Sequence, residues 1–453
     1  MTRSFDPAKA TSRPAGRPSR RDALKIGGAV AAGSLLTATS VPRVHAAEDN
    51  TIRLALIGCG GRGRGAVGNA FAASDGPIKL HATADLYEAR AQSARKILGR
   101  HAPDKVDVPD DRCFGGFEAY RHAIDTLRPG DVAMLTAYAY CRPLHLEYAV
   151  KKGVNVFMEK SFAPDPAGCQ RVLAAGEEAK GKNLKIAAGL QCRHSVARQA
   201  LIEKVRAGEL GEIDVVHATR STGRNYLGPP PAKADPVEWQ IQQKSHFLWV
   251  TAGILSEYLI HQIDECCWVM DAWPVAATGT GDASNRSNNC SQNLGNYDIE
   301  YTFADGGKAI VQSVAPFATF IHGSKRSAQF SGAVHRATVH TYRGKEIAKD
   351  QIDWRADREP CSPWQAEWES LLSAIREDRP HNEAERAIKA NLATIMGRAA
   401  AHMDRKVTWE EVNDSNFVFA PKVDELRFGS PAPVQPDAEG NYPRPLTEGW
   451  VEL

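Results

Sequence analysis

Thr51-Ile52-Arg53-Leu54-Ala55-Leu56-Ile57-Gly58-Cys59-Gly60-Gly61-Arg62-Gly63 is a β-branched and aliphatic run that ends in a cluster of glycines. Gly58, Gly60 and Gly63 have GxGxxG spacing, with a strand expected before them and a helix expected from Ala66 onward. The tight turn, the approach of a pyrophosphate to the backbone and the helix–strand contact each leave no room for a side chain. The helix N-terminus, with Gly61 and Arg62 in the turn, would then meet phosphates with free amides and its positive dipole end. Asp85 ends the next expected strand, Ile78 to Ala84. A carboxylate at that place binds a ribose 2′-hydroxyl and repels a 2′-phosphate, so NAD is expected in preference to NADP.

Outward from this motif the chain alternates. A helix is expected over Glu88 to Leu98, a strand over Asp131 to Ala137, a helix over Leu144 to Lys152, and strands over Val154 to Met158 and Lys185 to Gly189. That rhythm predicts an α/β fold with an N-terminal Rossmann doubly wound parallel sheet over 47–192. From Ser195 the pattern changes to a helix (Val196 to Ala207), a strand (Ile213 to Thr219), a Pro-containing loop and a helix (Ala252 to Met270). Strands follow at Asn296 to Phe303, Lys308 to Ser313, Ser327 to Ser331 and Thr338 to Tyr342. The expectation for 193–410 is a C-terminal α+β domain with a large open, mostly antiparallel sheet. Its final helices, Trp364 to Glu377 and Asn382 to Met403, could pack back on the first domain. Residues 411–453 are expected as an extended tail over the surface, from the proline and polar residues of Gly429 to Pro445.

Composition sets further bounds. The 453 residues are 43% hydrophobic and 24% charged, the balance of a globular chain, with a formal charge of +2. Residues 1–46 hold eight Lys/Arg against Asp6 and Asp22, which leaves the rest at −4 and gives no electrostatic reason to expect nucleic acid. Within that segment Ser19 to Lys25 carry the twin-arginine pattern at Arg20 and Arg21. A weakly hydrophobic stretch, Ile26 to Val41, and a small-residue cleavage site at Val44 to Ala46 follow. Residues 1–46 are expected to be a signal peptide for export in the folded state to the periplasm or beyond. The apolar stretch is too short to span a membrane. Nine cysteines without CxxC spacing indicate neither a disulfide framework nor a zinc ribbon.

Two features carry chemistry. In the expected helix Ala252 to Met270, Glu257, His261 and Asp264 recur at i, i+4 and i+7, one narrow titratable stripe on an otherwise apolar element. A proton-transfer pair would use it, with Glu257 orienting His261. A satisfied core histidine with two structural carboxylates is the alternative. A metal site at His261, Asp264 and Cys266 is disfavoured, and no metal is expected. Glu159 and Lys160 follow Val154 to Met158, at the carboxyl end of a parallel strand, where open α/β sheets bind ligands. A lysine there can hydrogen-bond a substrate hydroxyl and, with its pKa lowered by burial, share in proton transfer.

Gly58 to Gly63, Asp85, Glu159–Lys160, and Gly253, Glu257, His261 and Asp264 occur in an order that resembles the Gfo/Idh/MocA family, glucose–fructose oxidoreductase and inositol dehydrogenase among them. The resemblance covers about residues 51 to 410. It implies that Lys160, Glu257 and His261 contact the reacting hydroxyl, with His261 as general base. Three departures stand out. Ser161 follows Lys160 where the family has proline, and a non-proline cis peptide is the costlier one. Glu257 stands for an aspartate. Thr136-Ala137-Tyr138 replaces Thr-Pro-Asn, which keeps Thr136 among the cofactor residues and makes Tyr138 and Arg142, with Asp264, candidate substrate-pocket residues.

The expected activity is hydride transfer between NAD(P) and a hydroxyl-bearing carbon of a sugar, polyol or glycoside. Outside the cytoplasm free cofactor is scarce, so a tightly held, recycled dinucleotide is expected. Redox-neutral glycoside cleavage through transient oxidation is one alternative, and a non-catalytic sugar- or nucleotide-binding protein another. Specificity is expected from the second sheet and the loop Thr222 to Pro236, and homo-oligomerisation through that sheet's outer face.

Overall fold

Alternate residues of the first strand face opposite ways, and the core follows from that alternation. In the computed structural model, which describes residues 50–73, 76–223, 225–284, 288–331 and 338–453, the first strand is β1, Ile52–Ile57. Leu54 and Leu56 pack with Ala66, Val67 and Ala70 of the helix Gly61–Ala73, while Ala55 and Ile57 join the core on the other face. Around β1 lie β2 (Ile78–Asp85), β3 (Cys113–Gly115), β4 (Val132–Leu135), β5 (Asn155–Met158) and β6 (Ile186–Ala188). Their order is β3-β2-β1-β4-β5-β6, all parallel. The order reverses at β1, so a crevice opens above the carboxyl ends of β1 and β4.

The second sheet comprises β7 (Ile213–Thr219), β8 (Ala276–Asp282), β9 (Gly295–Thr302), β10 (Lys308–Gln312), β11 (Ala318–Gly323), β12 (Ser327–Ser331), β13 (Thr338–Tyr342), β14 (Ile352–Arg355) and β15 (Val407–Thr408). Its order is β14-β13-β12-β11-β7-β10-β9-β8-β15, antiparallel except for the β7–β10 pair. Val216, Ala218, Ile299, Tyr301, Val311 and Ile321 bury one face under the helices Ile260–Met270 and Ala384–His402. The fold is thus a parallel Rossmann-like sheet joined to a mixed, mostly antiparallel one. The described residues fall within one compact unit, Ala47–Leu453. The expected signal peptide, 1–46, lies outside the described residues.

Two long-range contacts tie the later chain to the first sheet. On the helix Pro363–Arg376, Trp368 is fully buried and stacks on Phe157 of β5 with centroids 4.4 Å apart. The tail 411–453 is exposed along most of its length but anchored: Ala432, Val434 and Tyr442 are buried against Trp239 and Phe247, and Gln240 donates to the Val434 carbonyl at 2.6 Å. The segment lacks regular structure, but its few apolar side chains find an aromatic cluster, which an averaged composition conceals. Among the described residues no helix is long and apolar enough to cross a membrane.

Candidate functional site

The glycine turn is built for close approach. Gly58 has φ +97°, and a Cβ there would collide with the Ala137 backbone; one on Gly63 would collide with the Gly58 carbonyl oxygen. Gly60 and Gly61 differ, because open space lies where their Cβ atoms would be. Packing within the protein therefore does not explain those two glycines, whereas a pyrophosphate lying on the helix N-terminus would. Thr136 closes the turn from β4's end, donating from Oγ1 to the Gly58 carbonyl at 2.6 Å. Asp85 accepts from the Cys59 amide at 2.8 Å and the Tyr87 amide at 3.1 Å, which fixes its carboxylate while leaving lone pairs for a ribose diol. Gly58, Gly60, Asp85 and Thr136, with Tyr138, line a cleft of about 920 Å³ that reaches Tyr120 and His145. The residues fit a dinucleotide.

A second cleft, of about 630 Å³, gathers Arg62, Glu159, Lys160, Glu257 and His261 from both halves of the fold. Arg62 is drawn into it: its Nε lies 2.9 Å from a Glu159 carboxylate oxygen, Nη2 donates to Asn69, and the guanidinium sits 5.3 Å from the Trp364 ring. The Lys160–Ser161 peptide is cis. Lys160 Nζ donates to the Glu257 carbonyl at 2.6 Å and Ser161 Oγ to the Ser256 carbonyl at 3.2 Å, so β5's end is latched to the second domain's helix. Burial lowers the Lys160 pKa against the opposing pull of Glu257 and Glu159.

The helix itself departs from expectation. Ala252 and Gly253 are left-handed, with φ +65° and +80°, and Leu255–Leu259 is a wide π-helical turn before the α-helix Ile260–Met270. Asn293 Oδ1 caps the start by accepting from the Ile254 amide at 2.9 Å. The stripe therefore breaks into three environments. His261 faces the cleft, 5% exposed, and its pKa is pushed well below 6.5 by burial and by Lys160, Arg220 and Arg198. Glu257 lines the same cleft, but its carboxylate accepts from Lys244 Nζ at 2.5 Å and from the Ser245 hydroxyl. The expected Glu257–His261 pair does not form, because Lys244 and Ser245 take the carboxylate. Asp264 is 1% exposed and bidentate to Arg193, at 2.9 and 2.8 Å, so it is a structural ion pair and not a pocket residue.

Arg142 is likewise corrected. Fully buried, it donates to the Leu135 and Ala137 carbonyls and braces the turn after β4; burial pulls its pKa to about 10. Tyr138 does reach the site, lining the larger cleft with the Lys244 ammonium 5.2 Å from its ring. None of the described residues of 222–236 lines either cleft. Sequence reasoning missed Lys244, Arg220, Tyr258 and Trp364 in the smaller cleft. It also missed Val423, Asp424 and Arg427 at the larger one, where Phe428 packs on Tyr87 and Phe117. No local motif announces any of these. Among the described residues no group of three or more His, Cys, Asp or Glu side chains is arranged to hold a metal ion.

No family model matches the chain. It is 25% identical over 225 residues to inositol 2-dehydrogenase from Ralstonia nicotianae, a match covering 48% of this chain and 54% of that protein. The chain thus spans about half the length of this curated relative. Among solved structures, aldose–aldose oxidoreductase from Caulobacter crescentus, complexed with glycerol, superposes with a TM-score of 0.62 at 18% identity, covering 79% of this chain and 99% of that one. UDP-N-acetylglucosamine 3-dehydrogenase from Acidithiobacillus ferrooxidans gives 0.56 at 19% identity, covering 78% and 98%. The two-sheet architecture is shared with these enzymes.

Proposed function

We propose that the chain is an NAD(P)-dependent oxidoreductase acting on a hydroxyl-bearing carbon of a sugar, polyol or glycoside. The observation that carries this reading is the meeting of Lys160 and His261 in one cleft beside the glycine turn, although 101 positions separate them in the sequence. The names of the relatives above point the same way. A bound nicotinamide dinucleotide would exchange a hydride with the carbinol carbon. Gly58, Gly60, Gly61, Gly63, Thr136 and Asp85 would hold it, and the Asp85 carboxylate favours NAD over NADP.

Lys160 is assigned to the hydroxyl oxygen, where its ammonium stabilises negative charge as the proton leaves. His261 is assigned as the proton acceptor. Buried among cations it is neutral, with a free lone pair, throughout the physiological range. Glu257 acts at one remove, by fixing Lys244 and, through its carbonyl, Lys160. Glu159 holds Arg62 beside the glycine turn.

The purified protein, supplied with NAD and then with a panel of sugars and glycosides, should change the reduced-nicotinamide absorbance band. A chain that neither co-purifies with nor takes up NAD or NADP refutes the reading. Export by the twin-arginine route belongs to the same proposal and rests on Arg20, Arg21 and the segment after them. Pairing of copies through the second sheet's outer face, where Val215, His217, Ile310 and Phe320 stay partly exposed, is its remaining part. Sedimentation tests that pairing.

A further inference from the structure

We infer that the substrate is an anionic sugar, a uronate or its glycoside, and that Arg220 binds its carboxylate. This deepens the oxidoreductase reading and rests on it. The smaller cleft holds four cationic side chains, Arg62, Lys160, Arg220 and Lys244, against two carboxylates, Glu159 and Glu257. Both carboxylates are taken: Glu159 pairs with Arg62 at 2.9 Å and Glu257 with Lys244 at 2.5 Å. Lys160 spends its hydrogen bond on a backbone carbonyl and is assigned to the reacting hydroxyl. Among the described residues the guanidinium of Arg220 makes no ion pair, and Glu265, the carboxylate whose field reaches it, is engaged by Arg198.

Arg220 directly follows β7, at the middle of the second sheet, and its backbone amide is fixed to the Gln312 carbonyl at 3.1 Å. Its side chain is partly buried. Among the described residues that side chain makes one hydrogen bond, from Nη1 to the Tyr258 carbonyl at 2.7 Å, and no ion pair. The rings of Tyr258 and Phe317 lie 5.3 and 4.6 Å from the guanidinium carbon and hold it in place. A guanidinium withdrawn from water without a counter-charge is costly, and a ligand anion supplies what the protein omits. With Nη1 engaged and aromatic rings against it, the donors that remain can still pair with a planar carboxylate, and the phosphate arm of the test separates that anion from a phosphoryl group.

The same placement links binding to chemistry. His261 is held neutral by burial and by the cations Lys160, Arg220 and Arg198, while the nearby carboxylates are already engaged: Glu159 by Arg62, Glu257 by Lys244, and Glu265 by Arg198. A substrate carboxylate on Arg220 offsets part of that field and makes His261 a stronger base just when it is needed.

The test uses the full chain with its bound dinucleotide and compares hexuronates with the neutral hexoses and hexose 6-phosphates of the same stereochemistry. The absorbance readout gives kcat/KM for each. The expected result is a uronate preference of about 10- to 100-fold over the neutral sugar, the worth of one charged hydrogen-bonded contact. That ratio should fall to about one in Arg220→Gln and be partly restored in Arg220→Lys. The acid limb of the kcat profile, which reports the enzyme–substrate complex, should also lie higher with uronate than with hexose. Equal or better turnover of the neutral sugar or of the phosphate, or an Arg220→Gln loss that leaves the ratio intact, overturns the inference. If no sugar of any charge alters the absorbance of cofactor-loaded protein, the oxidoreductase reading itself fails, and that outcome is distinct.

Discussion

Lys244 Nζ lies 2.5 Å from Glu257 Oε1, so the carboxylate that the sequence pattern offered to His261 serves instead a lysine thirteen positions upstream. The pair sits at the mouth of the smaller cleft, with Tyr138 beneath the lysine. Burial works against the Lys244 charge, but Glu257 outweighs it, and the lysine pKa is raised. Lys244→Ala removes that support from a carboxylate that is 11% exposed. KM for the sugar should rise by roughly 10-fold, near the value of a partly buried ion pair, and Lys244→Arg should recover part of it. Steady-state kinetics on the three proteins check this; unchanged KM in Lys244→Ala would remove the pair from the binding site.

His261→Ala should lower kcat by about 10²- to 10⁴-fold, the usual worth of a general base, while dinucleotide content stays at the level of the unaltered protein. In the unaltered protein the acid limb of kcat/KM should lie well below pH 6.5, because burial and then Lys160 hold the imidazole neutral down to lower pH. Activity is thus retained on acidification past the ordinary histidine range and lost only further down. A limb at or above 6.5 would reassign the base.

Gly60→Ala and Gly63→Ala should part company. At Gly60 the new methyl enters open space, so the melting temperature should hold while dinucleotide retention falls. At Gly63 it meets the Gly58 carbonyl oxygen and the Thr136 hydroxyl, so both melting temperature and retention should fall. Melting curves with and without added NAD distinguish the two; a Gly60→Ala protein that retains dinucleotide normally would exclude a pyrophosphate at that amide.

Glu452 is fully buried between Arg398, at 2.7 Å, and His402, whose other ring nitrogen meets the Tyr297 hydroxyl at 2.6 Å. Burial opposes the Glu452 charge, but His402 and Arg398 prevail and depress its pKa from 4.5 to about 2. A carboxylate with a depressed folded-state pKa contributes stability that is present above pH 4.5 and lost as pH falls toward 2. Glu452→Gln should cost about 3–5 kcal/mol at neutral pH, since it leaves Arg398 charged and buried. Its melting temperature should also vary less than that of the unaltered protein between pH 5 and pH 3. Equal acid sensitivity in the two proteins would place the titrating group elsewhere.

The dinucleotide half was legible because its signals are local. Gly58 to Gly63 and Asp85 lie within one strand–turn–helix–strand unit, and each answers to a backbone constraint that only its own neighbours impose. Ile213–Thr219 and Thr338–Tyr342 were also readable, as alternating strands. β3 at Cys113–Gly115 was not, being three residues long, nor was β11, Ala318–Gly323, whose apolar run Thr319-Phe320-Ile321 is too short to show an alternation. The site divided in the same way. Lys160 and His261 stood out by position and residue type, whereas Arg220 and Lys244 matter only because tertiary packing brings them to the cleft. The Glu257–His261 pairing failed because Lys244 and Ser245 take the carboxylate, competitors whose approach no helical spacing announces.

Arg398 donates from Nη1 to the carbonyls of Pro164 and Ala252, each at 3.1 Å, and so holds the segment after Lys160 and the left-handed turn ahead of Glu257 while Glu452 neutralises it. One guanidinium thereby sets the spacing of two backbone segments that are remote in sequence, so damage at Glu452, outside both clefts, would loosen Lys160 and Glu257 together.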